Sequence, residues 1–312
     1  MNCSLYSREF RWIAILTLSL LISSPSLANT TYDFLRIDPS PRGAALAGNS
    51  IALLAGDLNA ITIHPAGLAF LDDQRASVSY ANHPLDVSGG QLSYGFPTDY
   101  GYAAFALNYL SYGSFDRRQN LDDEVNGTFT PTDILLVGGF GRQVVEDVGV
   151  GVSLKFIRSE IDTYSSTAIA ADISAHWDTR FRMIQLAAGI SNLGTQLESY
   201  GDTAEDLPTE AHIGFAKYLE HLPLELSLTA HYGLDQQFWG ALAGEFMVSE
   251  LLMLRAGYTT LGPDYHVGGS QDAIAGVSAG IGISYMDLKL DYALYSQVAV
   301  GVVHRFGLTY LF

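Results

Sequence analysis

The stretch HRFGLTYLF, residues 304–312, separates into two faces when it is laid out as a strand. Phe306, Leu308, Tyr310 and Phe312 fall with His304 on one side, and Arg305, Gly307, Thr309 and Leu311 on the other, because successive side chains of a strand point in opposite directions. One face is almost wholly aromatic or aliphatic, and the other is mostly small or polar. If the Arg/Gly/Thr face looks into a barrel, the apolar face needs lipid around it. A soluble β-sandwich has the same period with the opposite solvent, so the rest of the chain must decide between them.

The same pattern recurs upstream. In VGVGVSLKFI, Val148, Val150, Val152, Leu154 and Phe156 oppose Gly149, Gly151, Ser153 and Lys155, and in GVSAGIGISY, Ile281 opposes Gly282. Segments of this kind, separated by turn signals, predict about fourteen strands at 76–81, 89–96, 101–113, 132–142, 148–160, 167–178, 182–192, 210–219, 225–232, 238–248, 252–260, 273–285, 286–295 and 301–312. Connection length then separates lipid from water, because membrane barrels alternate short periplasmic turns with longer external loops. The long connections follow the third, seventh and eleventh strands, and the short ones (PTDY, VVED, TRF, EHLP) follow even strands. The fold expected is an all-β, transmembrane, antiparallel barrel of about 14 strands spanning residues 76–312, in a bacterial outer membrane.

Bulk properties agree. Residues 1–28 combine a basic start, the apolar core WIAILTLSLLI and the small-residue site SSPSLA, which predicts a signal peptide cleaved after Ala28. Cys3 is the only cysteine, so the mature chain has no disulfide or thiol nucleophile. With 33 acidic against 16 basic residues and a formal charge of -17, nucleic acid is an unsuitable partner. The eight histidines are scattered singly, and HExxH and phosphate-cradling motifs are missing, so neither catalysis, a metal nor a cofactor is expected.

Residues 29–75 differ in character. Residues 44–54 are rich in Ala and Leu, with Pro41 ahead and Gly56 behind, and predict a short helix too apolar for a solvated linker. A fourteen-stranded barrel has a lumen wider than its own side chains fill, so this segment is expected as a plug inside it. The alternative is a periplasmic helix lying against the rim.

The order FLRIDPSPRGAALAGNSIALLAGDLNAITIHPAGL resembles the N-terminal signature of FadL-like outer-membrane proteins, most closely the PorV/PorQ family associated with type IX secretion. Arg42, Ala45, Leu46, Gly48, Asp57, Pro65, Ala66 and Gly67 match that signature. His64 stands where the family has asparagine, and Ala47 where it often has glycine. YGSF, GTFTPTD, LKFIRS, SNLGTQL, HLPLELSLTAH, LRAGY, DYAL and HRFGLTY continue the likeness, the HLPL and NLGTQL blocks being nearer to PorQ. The resemblance implies a non-catalytic accessory of type IX secretion whose external loops hold surface-attachment proteins. The alternative it leaves is a FadL-like channel for hydrophobic molecules such as long-chain fatty acids.

Charges on the lumen face, Lys155, Asp172, His176, Glu245, Arg255, Lys289, Asp291 and Arg305, are expected to tie plug to wall as matched pairs. Arg158, facing outward, is expected at the interface. The acidic loop residues Asp122, Asp123, Glu124, Glu198, Asp202, Glu205 and Asp206 suit either plain solvation or bridging, through divalent cations to lipopolysaccharide or to a basic partner. Loop aromatics Phe115, Phe129, Tyr200 and Tyr265 suit protein contacts. Phe306, Leu308, Tyr310 and Phe312 resemble the C-terminal signal read by the barrel assembly machinery, with Phe312 and Tyr310 in the lower aromatic girdle.

Overall fold

The structure, a computed structural model, describes residues 30–48, 50–118, 124–235, 237–261, 274–297 and 301–312. The predicted signal peptide, Asp122, Asp123 and Tyr265 lie outside the described residues. Strands β1 Arg75–Asn82, β2 Ser88–Thr98 and β3 Gly101–Ser111 are followed by the short β4 Phe115–Asp116 and β5 Thr128–Phe129. Then come β6 Thr132–Val145, β7 Val148–Ile161, β8 Tyr164–Asp178, β9 Ile184–Glu198, β10 Glu210–Tyr218 and β11 Leu224–Gly233. The last are β12 Phe238–Met247, β13 Leu252–Thr259, β14 Val277–Tyr285, β15 Leu288–Gln297 and β16 Gly301–Leu311.

Fourteen of these close into one antiparallel barrel, β3 pairing directly with β6, while β4 and β5 form a separate ribbon in the loop between them. Closure runs from Arg75 opposite Leu311 to Asn82 opposite His304. It leaves no open sheet edge to strand unpaired N–H and C=O groups in lipid. The Phe312 amide extends the pairing by donating to the Gln74 carbonyl at 2.9 Å.

Outward faces carry the expected belt: Leu92, Phe105, Leu154, Ile173, Ile213, Leu228, Leu242, Leu290 and Phe306 are all exposed. So continuous an apolar exterior is stable only in contact with lipid. Among the described residues no helix is long and apolar enough to cross a membrane; the crossing is made by strands.

Three boundaries move. The seventh barrel strand, expected at 182–192, is β9 and continues to Glu198, because Asn192 (φ 58°) sits in a bulge opposite Asp172 and the ladder with β8 resumes beyond it. The sixth begins at Tyr164, in a tight hairpin with Ile161, and the twelfth begins at Val277. The ribbon of β4 and β5 was not foreseen.

The N-terminal segment fills the lumen, and the rim alternative gives way. The single expected helix over 44–54 is replaced by several shorter turns. An α-helix, α1 Pro41–Ala45, starts at Ser40, whose side chain accepts from the Gly43 amide at 3.0 Å, with Pro41 in the first turn. It stops because Ala47 and Gly48 adopt left-handed φ of 64° and 85°. Three 3-10 turns follow at Ile51–Leu53, Leu58–Thr62 and Pro65–Phe70. Helical propensity is a weak prior, and the chain instead bends to keep Leu46, Ile51, Ile61 and Leu68 against the wall.

The molecule's core is therefore the plug together with the wall's small inward residues. Tyr32, Leu35, Leu58, Ile61 and Leu68 pack with Ala104, Ala106, Leu135, Val137, Ala168 and Ala170, and Leu46, Ile51 and Leu53 pack with Ala187, Ala216 and Ala243. Close approach needs glycine at the centre of this contact. A Cβ on Gly151 would lie 2.2 Å from the Pro65 carbonyl carbon.

Candidate functional site

The eight lumen charges do not form one network. Nearer the short-turn end, Arg42 Nη1 donates to Asp57 at 2.9 Å, and its Nη2 and Nε donate to Glu245 at 3.1 and 3.2 Å. Arg255 bridges the same Glu245 to Asp291. Plug and wall arginines thus share the Glu245 carboxylate. A second group is wholly in the wall: Lys155 Nζ lies 2.8 Å from both Asp172 and Asn192 Oδ1, while Asp172 accepts from Ser153 (2.9 Å) and the Asn192 amide (2.8 Å). The β9 bulge is what turns Asn192 inward to complete it.

Arg305 stands apart from both groups and donates to the Asp38 backbone carbonyl. Burial pushes the Asp38 carboxyl up to about 7, opposed by the hydrogen bond from the Ser40 amide. Among the described residues no carboxylate forms an ion pair with Lys289. Arg158 faces outward and pairs with Glu160 at 2.7 Å.

The remaining plug positions have local reasons. Gly48 supplies the left-handed turn after α1. Asp57 caps the 3-10 turn at Leu58 by accepting from the Asn59 amide at 2.9 Å. Pro65, Ala66 and Gly67 open the turn laid on β6, β7 and β8, where the Ala66 amide donates to Ser174 Oγ at 2.8 Å. A Cβ on Gly67 would lie 2.4 Å from the Leu54 carbonyl oxygen.

His64, at the head of that turn, is fully buried, with its ring centroid 5.8 Å from His212 and 5.9 Å from His176. Burial, reinforced by His212 and then His176, holds its imidazole well below the ordinary range. His176 does not join an ion pair; its Nε2 meets Gln185 Oε1 at 3.0 Å. Glu210, His212, His231 and Trp239 complete this region, and sequence reasoning missed them. Glu210 and His212 are two apart on one strand face, a visible signal, but their meeting with His231 depends on the β10/β11 register.

The terminal aromatics lie outside the barrel as expected. Tyr310 and Phe312 meet edge-on at 4.8 Å, Tyr94 approaches Phe312 at 6.4 Å, and Phe306 packs on Tyr292 at 4.9 Å. Phe115 and Phe129, expected as partner contacts, stack on each other at 5.8 Å across the ribbon.

At the long-loop end β9 outruns one of its two neighbours. β10 pairs with β9 only up to Ser191, whereas β9 continues alongside β8 to Glu198. Beside that upper edge lies a cleft of about 550 Å³, lined by Leu193, Gly194, residues 205–209, Leu234, Asp235 and Thr30. Glu205 in its rim is not merely solvated: it accepts from the Thr31 amide at 2.9 Å and hydroxyl at 2.8 Å. A smaller apolar pocket, about 50 Å³, lies between Phe34, Leu35 and Ile37 and the inner faces of β2, β3 and β6. Cavities that hold a benzene-sized guest measure about 150 Å³, so the 34–37 segment must shift before such a molecule fits.

No known sequence family matches the chain, and no curated protein does. Solved structures do match. The toluene transporter TodX of Pseudomonas putida superposes with a TM-score of 0.59 at 12% identity, over 86% of this chain and 95% of that one. The monoaromatic hydrocarbon channel CymD gives 0.57 at 12% over 90% and 99%, and a Pseudomonas aeruginosa FadL homologue gives 0.55 at 14% over 88% and 98%. The finer PorV/PorQ assignment rests on motif resemblance alone, and the fold is that of the FadL-type outer-membrane barrels.

Proposed function

We propose that this chain is a non-catalytic conduit for small hydrophobic molecules in a bacterial outer membrane, with the N-terminal plug as its gate. The observation that carries the reading is the cleft at the upper end of β9, which runs from lipid-facing Leu193 to Thr30 of the N-terminal segment. An apolar solute entering there meets Leu207 and the plug's Leu35, which belong to one buried cluster, and Phe34, which packs against it. Structural neighbours named for toluene and monoaromatic hydrocarbon transport support it. The type IX accessory role, the first expectation from the sequence, has only the motif resemblance behind it.

Reconstitution tests the reading. Proteoliposomes holding the folded barrel should take up toluene or a labelled long-chain fatty acid faster than protein-free vesicles, with sucrose excluded. Uptake of both apolar solutes at the protein-free rate defeats it.

A further inference from the structure

Glu210 and His212 project from β10 into the lumen, and His231 stands directly opposite His212 on β11. All three are buried, and one ligand atom from each lies within 4.8 Å of the others. Glu210 is oriented on both sides: Oε1 lies 2.8 Å from His231 Nδ1, and Oε2 accepts from Trp239 Nε1 at 3.0 Å. The Trp239 ring stacks on His231 with centroids 3.6 Å apart.

Beside this group, and outside the set of three, stands the plug's His64, its ring centroid 5.8 Å from that of His212. Both of its ring nitrogens, and both of those of His212, are buried without a hydrogen-bond partner among the described residues. An imidazole always presents a donor together with an acceptor or a second donor. A buried polar group left without a partner forfeits its hydration with nothing in return. Four such atoms on two adjoining rings call for a polar occupant.

We propose that Glu210, His212 and His231 bind a divalent transition-metal ion of the zinc class, with His64 as the plug's ligand to it. Neutral imidazoles with one carboxylate suit zinc and its neighbours, whereas calcium and magnesium take oxygen ligands. Trp239 acts on the carboxylate as an outer partner, fixing which oxygen is left for the ion. Because three ligands belong to the wall and one to the plug, the ion staples the gate to β10 and β11. The inference stands independently of what the channel carries.

The test uses the untagged full-length barrel, folded in detergent and stripped with EDTA. Zinc should be retained at one equivalent per chain after gel filtration, and cobalt(II) in its place should give the intense visible bands of a four-coordinate ion. His212→Ala and Glu210→Gln, confirmed as folded by heat-modifiable electrophoretic mobility, should each weaken binding at least tenfold. His64→Ala should keep the ion but lose the zinc-dependent protection of Arg36 and Arg42 from trypsin. If a variant does not fold, the unaltered chain decides: no retained zinc at micromolar free metal, or only the weak spectrum of six-coordinate cobalt, overturns the proposal. Equal binding in folded His212→Ala overturns it too, assigning the metal to surface histidines.

Discussion

Leu228 and Thr229 are neighbours on β11, yet one is exposed to the membrane side and the other is buried against the lumen. Leu228→Arg places a charge in hydrocarbon and should cost about 2–4 kcal/mol of folding free energy. Thr229→Val should be near neutral, because the Thr229 hydroxyl is already buried without a partner among the described residues. Denaturant titration in detergent micelles or vesicles compares them; equal effects would refute the facing assignment. The analogous pair on β14 behaves differently. Ile281→Arg remains disruptive, but Gly282→Ser is not mild, because it puts a Cβ 2.7 Å from Arg255 Nη2 and 2.8 Å from Asp291 Oδ1. Lys155 and Asp172 have side chains only 1% exposed, so Lys155→Met strands a buried carboxylate and should cost about 3–5 kcal/mol. Adding Asp172→Leu should recover part of that loss in the same titration.

At the scale of elements, the plug turn Pro65–Phe70 and the inner faces of β6 and β7 fit because the wall supplies Gly139, Gly141, Gly149 and Gly151. Gly151→Val leaves the outer face of β7 unchanged but drives a side chain into the Pro65 backbone. The barrel should still fold while the N-terminal segment becomes open to trypsin at Arg36 and Arg42; unchanged protection would show that the plug does not rest there. The β16 end makes the opposite demand. Phe312 donates its amide to Gln74 beside the closure with β1 and places its ring against Tyr310 and Tyr94. Phe312→Asp puts a charge at the aromatic girdle, and should lower the heat-modifiable, folded fraction recovered from outer membranes. An undiminished fraction would mean that this ring contributes nothing to assembly.

At the scale of the whole molecule, a closed wall surrounds a plug that is a separate chain segment, held by apolar packing and ion pairs. Glu205 secures its upper end through Thr31. Glu205→Ala should therefore raise the apolar-solute flux in proteoliposomes without lowering thermal stability of the barrel, and an unchanged flux would remove that contact from the gating scheme. The strand count and the inward or outward facing of β7, β14 and β16 were legible in the sequence, because alternation has a period of two and lipid selects which face is apolar. The presence of a plug was legible too, since apolar residues 44–54 had no strand to belong to. Its path was not: Ala47 turns left-handed and the expected helix breaks because lumen packing outweighs local propensity. Nor could the sequence join Glu210 to His231, or place Asn192 beside Lys155. Those meetings depend on strand register and on one bulge, and register emerges only when a closed sheet packs around its plug. Thus the sequence by itself determined a lipid-facing barrel with an apolar N-terminal insert, and the tertiary structure alone decided which buried polar groups face one another and where the cleft beside β9 lies.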